Sequence, residues 1–386
     1  MLNTQDKDCW NISSSQDINF SIIASRQYLF DPLNIALSSS IKSSANNRRL
    51  IVVDRNICEF YLEDIKNYFD YHDVEHHMLA IDATEDDKNI ESLLTILTSM
   101  EDFGLLRRSE PVIAIGGGVL LDLVGFAASI YRRGVPYIRI PTTLVGLVDA
   151  SVGIKTGINI FTRRNRLGTY FPPICSYLDK GFLKTLPKLE IRSGMGEILK
   201  MAVIKDAKLF EILENYGGIL VEDFVNCVKA DEVIQRSING MVAELESNLW
   251  ELDLKRKVDF GHSFSPIIEM RSLEDSAVDS LTHGQAVALD VIFSSVLALN
   301  RGFIQSRDME RILMVAKDIG LPIIHPYFKR PLLIFEALSD TTKHRNGSQN
   351  LPLPFSIGDC CFINDVTLSE IEKGVDTLIA ITGQIK

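Results

Sequence analysis

The sequence predicts an α/β domain with a doubly wound parallel sheet, followed by a mostly α-helical domain. Up to about residue 180, short β-branched runs alternate with segments of helical periodicity, which is the pattern of a parallel sheet covered by helices. Beyond that point helical spacing dominates and strand patterns are few. A chain of 386 residues has room for two domains, and we place them at residues 1–180 and 181–386.

The predicted strands are short, apolar and closed by an acid, a glycine or a proline. They cover residues 49–54 (RLIVVD), 111–115 (PVIAI) and 137–140 (YIRI), and residues 89–100 between the first two have helical periodicity. In the second half we predict helical segments over residues 194–210, 221–246, 284–300 and 308–319. Pro172, Pro173 and Pro187 flank the expected junction between the two domains.

Composition and charge exclude several classes of protein. The chain has 40 basic and 51 acidic residues, a net charge of −11, so non-specific nucleic-acid binding is not expected. The apolar run at residues 111–131 is interrupted by three glycines and an aspartate, which indicates a buried strand, a turn and a helix rather than a membrane span. The first residues, MLNTQDKDCWN, do not have the pattern of a signal peptide.

The cysteines predict free thiols in a reducing cytoplasm, because their spacing contains no CxxC pair and so few cysteines in a long chain do not make a disulfide framework. The six are Cys9, Cys58, Cys175, Cys227, Cys360 and Cys361.

A glycine turn follows the second predicted strand and opens a predicted helix. Backbone N–H groups in such a turn can hold a pyrophosphate at a helix N-terminus. The run Gly116, Gly117 and Gly118 departs from the GxGxxG pattern, since Leu121 occupies the third glycine position. A tight strand-to-helix turn without a ligand is the alternative.

A basic segment between residues 132 and 166 stands out in this acidic chain. Asp149 is its only acid, which leaves a surplus of six positive charges. Local cations interleaved with hydroxyl and amide side chains are suited to phosphate recognition, whereas a solvated basic loop is the alternative. The cations are Arg132, Arg133, Arg139, Lys155, Arg163, Arg164 and Arg166.

Three residues are candidates for a divalent metal site. His262 and His283 each lie beside a glycine, in FGHSFS and THGQAV, whereas His72, His76 and His77 are assigned to a surface loop. Glu197 lies in an apolar helical segment, where an unpaired carboxylate is costly, and Lys200 shares its face. One carboxylate and two imidazoles would leave positions open for a substrate, although spacing alone does not show that the three converge.

Long stretches of the chain resemble the sugar phosphate cyclase family, the relatives of 3-dehydroquinate synthase. The string GGGVLLDLVGFAASIYRRGVPYIRIPTTLVGLVDASVGIKTGIN is similar to the central signature of that family, and NRLGTYFPP, FLKTLPKLEIRSGMGEILK, FGHSFS and HGQAVALD follow in the family's order. The resemblance spans residues 50–360. It implies a Rossmann-like NAD-binding domain, a helical metal domain, a sugar phosphate substrate and a homodimer.

The resemblance also implies roles for individual residues. The metal ligands of the family correspond to Glu197, His262 and His283. They normally hold zinc, which is sometimes replaced by cobalt. Arg133 corresponds to a phosphate-binding arginine supplied across the dimer. Asp149, Lys155, Asn165, Glu190 and Lys200 correspond to polar positions around cofactor and substrate. Residues matching NAD contacts are Asp54, Glu85, Lys88, Gly117, Gly118, Val119, Asp122, Thr142, Thr143 and Thr185, with Arg164 at a position commonly lysine.

Departures from the family pattern indicate the substrate. Dehydroquinate synthases read NFGHTxGH, but here the asparagine is Asp259 and the second histidine is Pro266, which leaves the proton relay open. A lysine and an arginine upstream are Met241 and Lys255, which favours a substrate without the carboxylate of the dehydroquinate precursor. Asp259 together with His344 resembles the branch that cyclises sedoheptulose 7-phosphate to 2-epi-5-epi-valiolone.

The resemblance implies transient oxidation by NAD⁺, phosphate elimination, return of the hydride and an intramolecular aldol closure. Lys155, Asn165 and Arg133 would hold the phosphate, and Lys200 and Asp259 would orient hydroxyl groups. The alternatives are a 2-epi-valiolone or 4-deoxygadusol-type cyclase, 3-dehydroquinate synthase, an NAD-dependent polyol dehydrogenase and a non-catalytic NAD-binding protein.

Overall fold

The computed structural model describes residues 10–15, 17–41, 47–161 and 163–384, without the side chains of residues 39 and 41. Cys9 lies outside this part, and the other five cysteines are free. A six-stranded sheet in the first half has the order β1-β8-β5-β4-β2-β3, and all its pairings are parallel. Its strands are β1 Ser21–Ala24, β2 Arg48–Asp54, β3 Glu75–Ile81, β4 Val112–Gly116, β5 Tyr137–Pro141 and β8 Cys175–Leu178.

Helices cover both faces of this sheet, and separate apolar clusters lie on the two sides. The predicted strands at 49–54, 111–115 and 137–140 and the helix at 89–100 are confirmed to within two residues at each end. The run at 111–131 is β4, a glycine turn and a buried helix, as predicted. The helices of this half are α1 Ile35–Ile41, α2 Arg55–Tyr71, α3 Ile90–Asp102 and α4 Gly118–Ile130.

An antiparallel hairpin separates β5 from β8 along the chain. Its strands are β6 Lys155–Ile160 and β7 Arg163–Tyr170, and they contact α4 from the first half and α8 (Ser265–Glu274) from the second. The basic segment therefore extends over three separate structures: the turn after α4, strand β5, which contains Arg139, and this hairpin.

The second half is helical around one large apolar cluster, with a hairpin near its end. The predicted helix at 194–210 is two helices, because Asp206 leaves the helix and caps the next one through the N–H groups of Lys208 and Leu209. In the segment predicted at 221–246, residues 221 and 222 end α6 (Ala207–Glu222), and the next helix begins only at residue 230. The remaining elements are α5 Lys188–Ile204, α6 Ala207–Glu222, α7 Ala230–Leu245, α9 His283–Asn300, α10 Ser306–Ile319, α11 Pro331–His344, β9 Leu351–Ser356, β10 Asp359–Ile363 and α12 Leu368–Thr382.

The assignment of three histidines to a surface loop is wrong. His76 and His77 belong to β3, which tolerates polar side chains because it is the last strand of the sheet, and His72 is buried against Tyr68 at the end of α2. Among the described residues, no helix is both long and apolar enough to cross a membrane.

Candidate active site

The three candidate metal ligands converge, although 86 residues separate the first from the last. Glu197 comes from the middle of α5, His283 is the first residue of α9, and His262 lies in the loop before α8. The Nε2 atoms of His283 and His262 lie 3.0 and 3.5 Å from Oε1 of Glu197. One donor atom from each residue falls within 4.8 Å of the other two, which is the spacing expected of ligands that share one ion.

Lys200 keeps the Glu197 carboxylate charged in a buried position. Its Nζ lies 2.6 Å from Oε2 of Glu197, and both side chains are almost completely inaccessible. Burial opposes ionisation of Glu197, but Lys200 and His262 outweigh it and hold the pKa of Glu197 well below its usual value. Burial likewise opposes the charge on Lys200, but Glu197 and Asp149 raise the pKa of that amine.

These residues fit a divalent metal such as zinc. The Glu197 carboxylate is buried, and Oε1 faces the Nε2 atoms of both histidines, so an ion between them would meet one oxygen and two nitrogen donors. Two imidazole nitrogens and one carboxylate oxygen form a common catalytic zinc set, which leaves a coordination position for substrate.

Two acids that the sequence analysis did not single out hold the histidines. Oε2 of Glu269 lies 3.1 Å from Nδ1 of His283, and Nδ1 of His262 lies 3.2 Å from the carbonyl oxygen of Phe260. Oδ2 of Asp290, on α9, accepts the backbone N–H groups of residues 263, 264 and 265, directly after His262. A signal for Glu269 and Asp290 existed, because both are carboxylates in apolar helical stretches, as Glu197 is.

The carboxyl ends of β2, β4 and β5 lie side by side at one edge of the parallel sheet. In the sheet β3 lies on one side of β2, while β4 and β5 lie on the other. The order in which successive strands are added to the sheet therefore reverses between β2 and β4. Doubly wound sheets bind ligands at this position. Asp54 ends β2 and caps α2 through the N–H of Asn56, and burial raises the pKa of Asp54.

The glycine turn lies beside Asp54. A Cβ atom on Gly116 would come within 2.6 Å of the Leu120 side chain and 3.0 Å of that of Asp54, so any larger residue would require these neighbours to move. Gly117 caps α4, and Gly118 and Val119 are its first two residues. Directly after β5, Thr142 has a buried hydroxyl group with no hydrogen-bond partner among the described residues, and the hydroxyl of Thr143 accepts the N–H of Gly146.

Charged pairs connect this edge to the β6–β7 hairpin. Lys88 donates to both Asp122 and Asn165 at 2.6 Å. Arg164 pairs with both oxygens of Glu85 at 2.9 Å and also bonds Glu269 beside the metal ligands. Arg164 therefore connects Glu85, in the loop after β3, with Glu269, the carboxylate that contacts His283.

Three further residues predicted from the sequence, Thr185, Asp149 and Glu190, belong to other elements. The Thr185 hydroxyl is 2.9 Å from that of Tyr61, and Asp149 lies in a single π-helical turn, Gly146–Ala150. Glu190 is in the first turn of α5, where burial raises the pKa of its carboxyl group.

The basic segment is not a single phosphate-binding patch. Arg139 is fully buried and donates to the carbonyl oxygens of residues 150 and 153 and to the hydroxyl of Tyr137, so its role is structural. Arg133 is exposed after α4 with a φ of 61°. Arg166 lies 2.7 Å from Nε2 of His344, and it pairs with Asp340, as Arg163 does.

A second charged cluster surrounds Asp259. Its carboxylate pairs with Arg256 and, at 3.5 Å, with Arg345. Burial opposes ionisation of Asp259, but these two arginines outweigh it and keep the pKa below its usual value. Lys155 lies 2.7 Å from Glu251, which also pairs with Arg256. The sequence analysis identified neither Glu251 nor Arg256.

Comparison with known proteins agrees with this geometry. The model of the 3-dehydroquinate synthase N-terminal domain matches residues 78–193, and that of the C-terminal domain matches residues 194–343. The chain is 45% identical over 382 residues to a 2-epi-5-epi-valiolone synthase of Streptomyces hygroscopicus subsp. jinggangensis, covering 97% of this chain and 91% of that protein. A protein of the same name from Actinomyces sp. is 42% identical, with coverage of 97% and 98%.

A solved structure is equally similar. It is that of ValA, the 2-epi-5-epi-valiolone synthase of S. hygroscopicus subsp. jinggangensis, with NAD⁺ and Zn²⁺ bound. The TM-score is 0.90 at 45% identity, and the match covers 96% of this chain and all of that one. The family resemblance seen in the sequence is thereby confirmed: the chain belongs to the 3-dehydroquinate synthase family of sugar phosphate cyclases.

Proposed function

We propose that this protein is a 2-epi-5-epi-valiolone synthase, which cyclises sedoheptulose 7-phosphate with loss of phosphate. The observation that carries the proposal is the convergence of Glu197, His262 and His283, in a chain 45% identical to an enzyme of that name over nearly its whole length. The cofactors we propose are NAD⁺ and zinc, both bound in ValA.

The two cofactors would divide the chemistry. Zinc held by the three ligands would polarise substrate oxygens, while NAD⁺ would accept a hydride and return it. The pyrophosphate of NAD⁺ would lie over the N-terminus of α4, with Asp54 and Thr142 nearby. For the other positions matched to NAD contacts, including Glu85 and Lys88, we propose the same role.

The polar residues around the metal ligands would hold the sugar. Lys200, which is paired with Glu197, would donate to a substrate oxygen there. Asp259, kept ionised by two arginines, would accept a hydrogen bond from a hydroxyl group, which suits a polyol chain better than a carboxylate. His344 would contribute through Arg166, its partner on the hairpin.

The phosphate site we propose combines Lys155 and Asn165 with Arg133 from a second subunit. Arg133 is exposed at a turn, which suits a residue that reaches into a partner. We propose a cytoplasmic homodimer on this basis and on the free thiols, with the two domains divided near residue 180.

The direct test is incubation of the purified protein with NAD⁺, Zn²⁺ and sedoheptulose 7-phosphate. We expect phosphate release, no net NADH and a cyclitol product identified by NMR. Activity only on the phosphorylated dehydroquinate precursor would contradict the proposal in favour of 3-dehydroquinate synthase. Net NADH formation with glycerol would contradict it in favour of a polyol dehydrogenase.

A further inference from the structure

We propose that Glu269 is a positioning residue that selects the metal-binding tautomer of His283 against the opposing influence of Arg164. The inference deepens the proposed function, because it rests on His283 acting as a metal ligand. The two groups, Glu269 and Arg164, both contact Nδ1 of His283, the ring nitrogen that faces away from Glu197.

The contacts around His283 are asymmetric. Nε2 faces Glu197 at 3.0 Å, on the side where the three donor atoms converge. Nδ1 lies 3.1 Å from Oε2 of Glu269 and 3.0 Å from Nη1 of Arg164. Because Glu269 is only 3% exposed, water does not easily replace its carboxylate as the hydrogen-bond partner of Nδ1.

The two neighbours of Nδ1 favour opposite tautomers. A carboxylate only accepts hydrogen bonds, so Glu269 favours a proton on Nδ1 and leaves the lone pair on Nε2, where a metal needs it. A guanidinium only donates, so Arg164 favours a lone pair on Nδ1 and a proton on Nε2. With the proton on Nε2, His283 cannot bind a metal through that atom.

Arg164 is held in place independently of the histidine. Its Nε and Nη2 atoms bond the two oxygens of Glu85 at 2.9 Å, and it also bonds Glu269. Removal of the Glu269 carboxylate would therefore leave the guanidinium next to Nδ1 with no acceptor between them. The loss should be larger than that of a single hydrogen bond, because the remaining neighbour favours the wrong tautomer.

Zinc affinity, measured by competition with a chromogenic chelator on the purified protein, tests this without any sugar substrate. E269A is expected to weaken zinc binding by about 10–100-fold. E269Q, which keeps an acceptor oxygen, should lose less. The double variant E269A/R164M should bind zinc at least about threefold more tightly than E269A, because the two neighbours are energetically coupled. The matched control is E274A, an exposed glutamate on the same helix, which should behave as wild type.

R164M alone should bind zinc at least as tightly as wild type, which keeps the test valid if E269A does not fold.

Wild-type zinc affinity in E269A, or no recovery of zinc affinity in the double variant, would overturn the inference. Tenfold weaker zinc binding by R164M would do the same. These results would leave the proposed function intact if wild type still binds zinc and releases phosphate. Wild-type protein without zinc affinity would overturn both.

Discussion

Gly196 and Gly284 are in direct backbone contact where α5 crosses α9. A Cβ atom on Gly196 would lie 2.1 Å from the carbonyl oxygen of Gly284, and one on Gly284 would lie 1.7 Å from that of Ser193. Each glycine immediately precedes or follows a metal ligand, Glu197 on one helix and His283 on the other. The separation of these two ligands therefore depends on helices that approach as closely as only glycine allows.

A methyl group at this crossing should separate the ligands. G284A is expected to destabilise the protein by about 3 kcal/mol or more, because the new atom meets backbone that cannot move aside, and to lower zinc occupancy. Urea unfolding and metal analysis would measure the two effects. G153A is the control, since a Cβ there meets nothing within 4 Å. Equal stability of G284A and G153A would contradict the crossing as described.

Loss of a metal ligand should separate catalysis from cofactor binding. H283A is expected to lower turnover by more than about 100-fold. Loss of a residue that only supports a metal ligand costs up to about 100-fold, and loss of the ligand itself should cost more. Affinity for NAD⁺, followed by fluorescence titration, should stay within a few-fold of wild type, because the glycine turn belongs to the other half of the chain. Turnover that survives in H283A would show that the metal assignment is wrong.

Asp290 should stabilise the loop that carries His262. Its Oδ2 accepts three backbone N–H groups, so D290N is expected to cost about 2 kcal/mol or more of unfolding free energy and to weaken zinc binding. S294A removes only a partner of the other carboxylate oxygen and should cost about 1 kcal/mol with zinc affinity unchanged. The prediction fails if D290N retains wild-type zinc affinity.

Glu190 should reduce stability at neutral pH. Burial raises the pKa of its carboxyl group above the usual 4.5, so the folded state binds the proton more tightly than the unfolded state does. The cost of ionisation is thus absent below the unfolded pKa and complete above the folded pKa. E190Q should raise the melting temperature at neutral pH while lowering activity.

A series of melting curves over pH would test the sign for Glu190. The difference between E190Q and wild type should shrink as the pH falls below about 4. A difference that grows in acid would contradict the assigned cause.

The sequence was sufficient for the elements whose signals are local. The β4 strand, its glycine turn and α4 follow from one continuous pattern, and the Glu197 helix follows from an apolar segment with one acid. The convergence of Glu197 with His262 and His283 needed the tertiary fold, because no local spacing encodes a crossing of α5 and α9.

What the sequence analysis missed depends on long-range pairing. Glu269 bonds Arg164 from 105 residues away, and neither residue carries a local sign of the other. The β9–β10 hairpin was missed because Pro352 and Pro354 lie in β9, and proline argues against a strand. The buried role of Arg139 was missed because charge counting treats every cation as exposed.

Helix α9 begins at His283 and, two turns later, carries the aspartate that fixes the loop of His262. The positions of both imidazoles therefore depend on one helix, α9, which is buried along most of its length. Hinge motions of the sheet against the helices would leave the gap between the two rings unaltered. A chimeric protein that receives α9 together with residues 260–265 should therefore acquire the same spacing between the rings of His262 and His283.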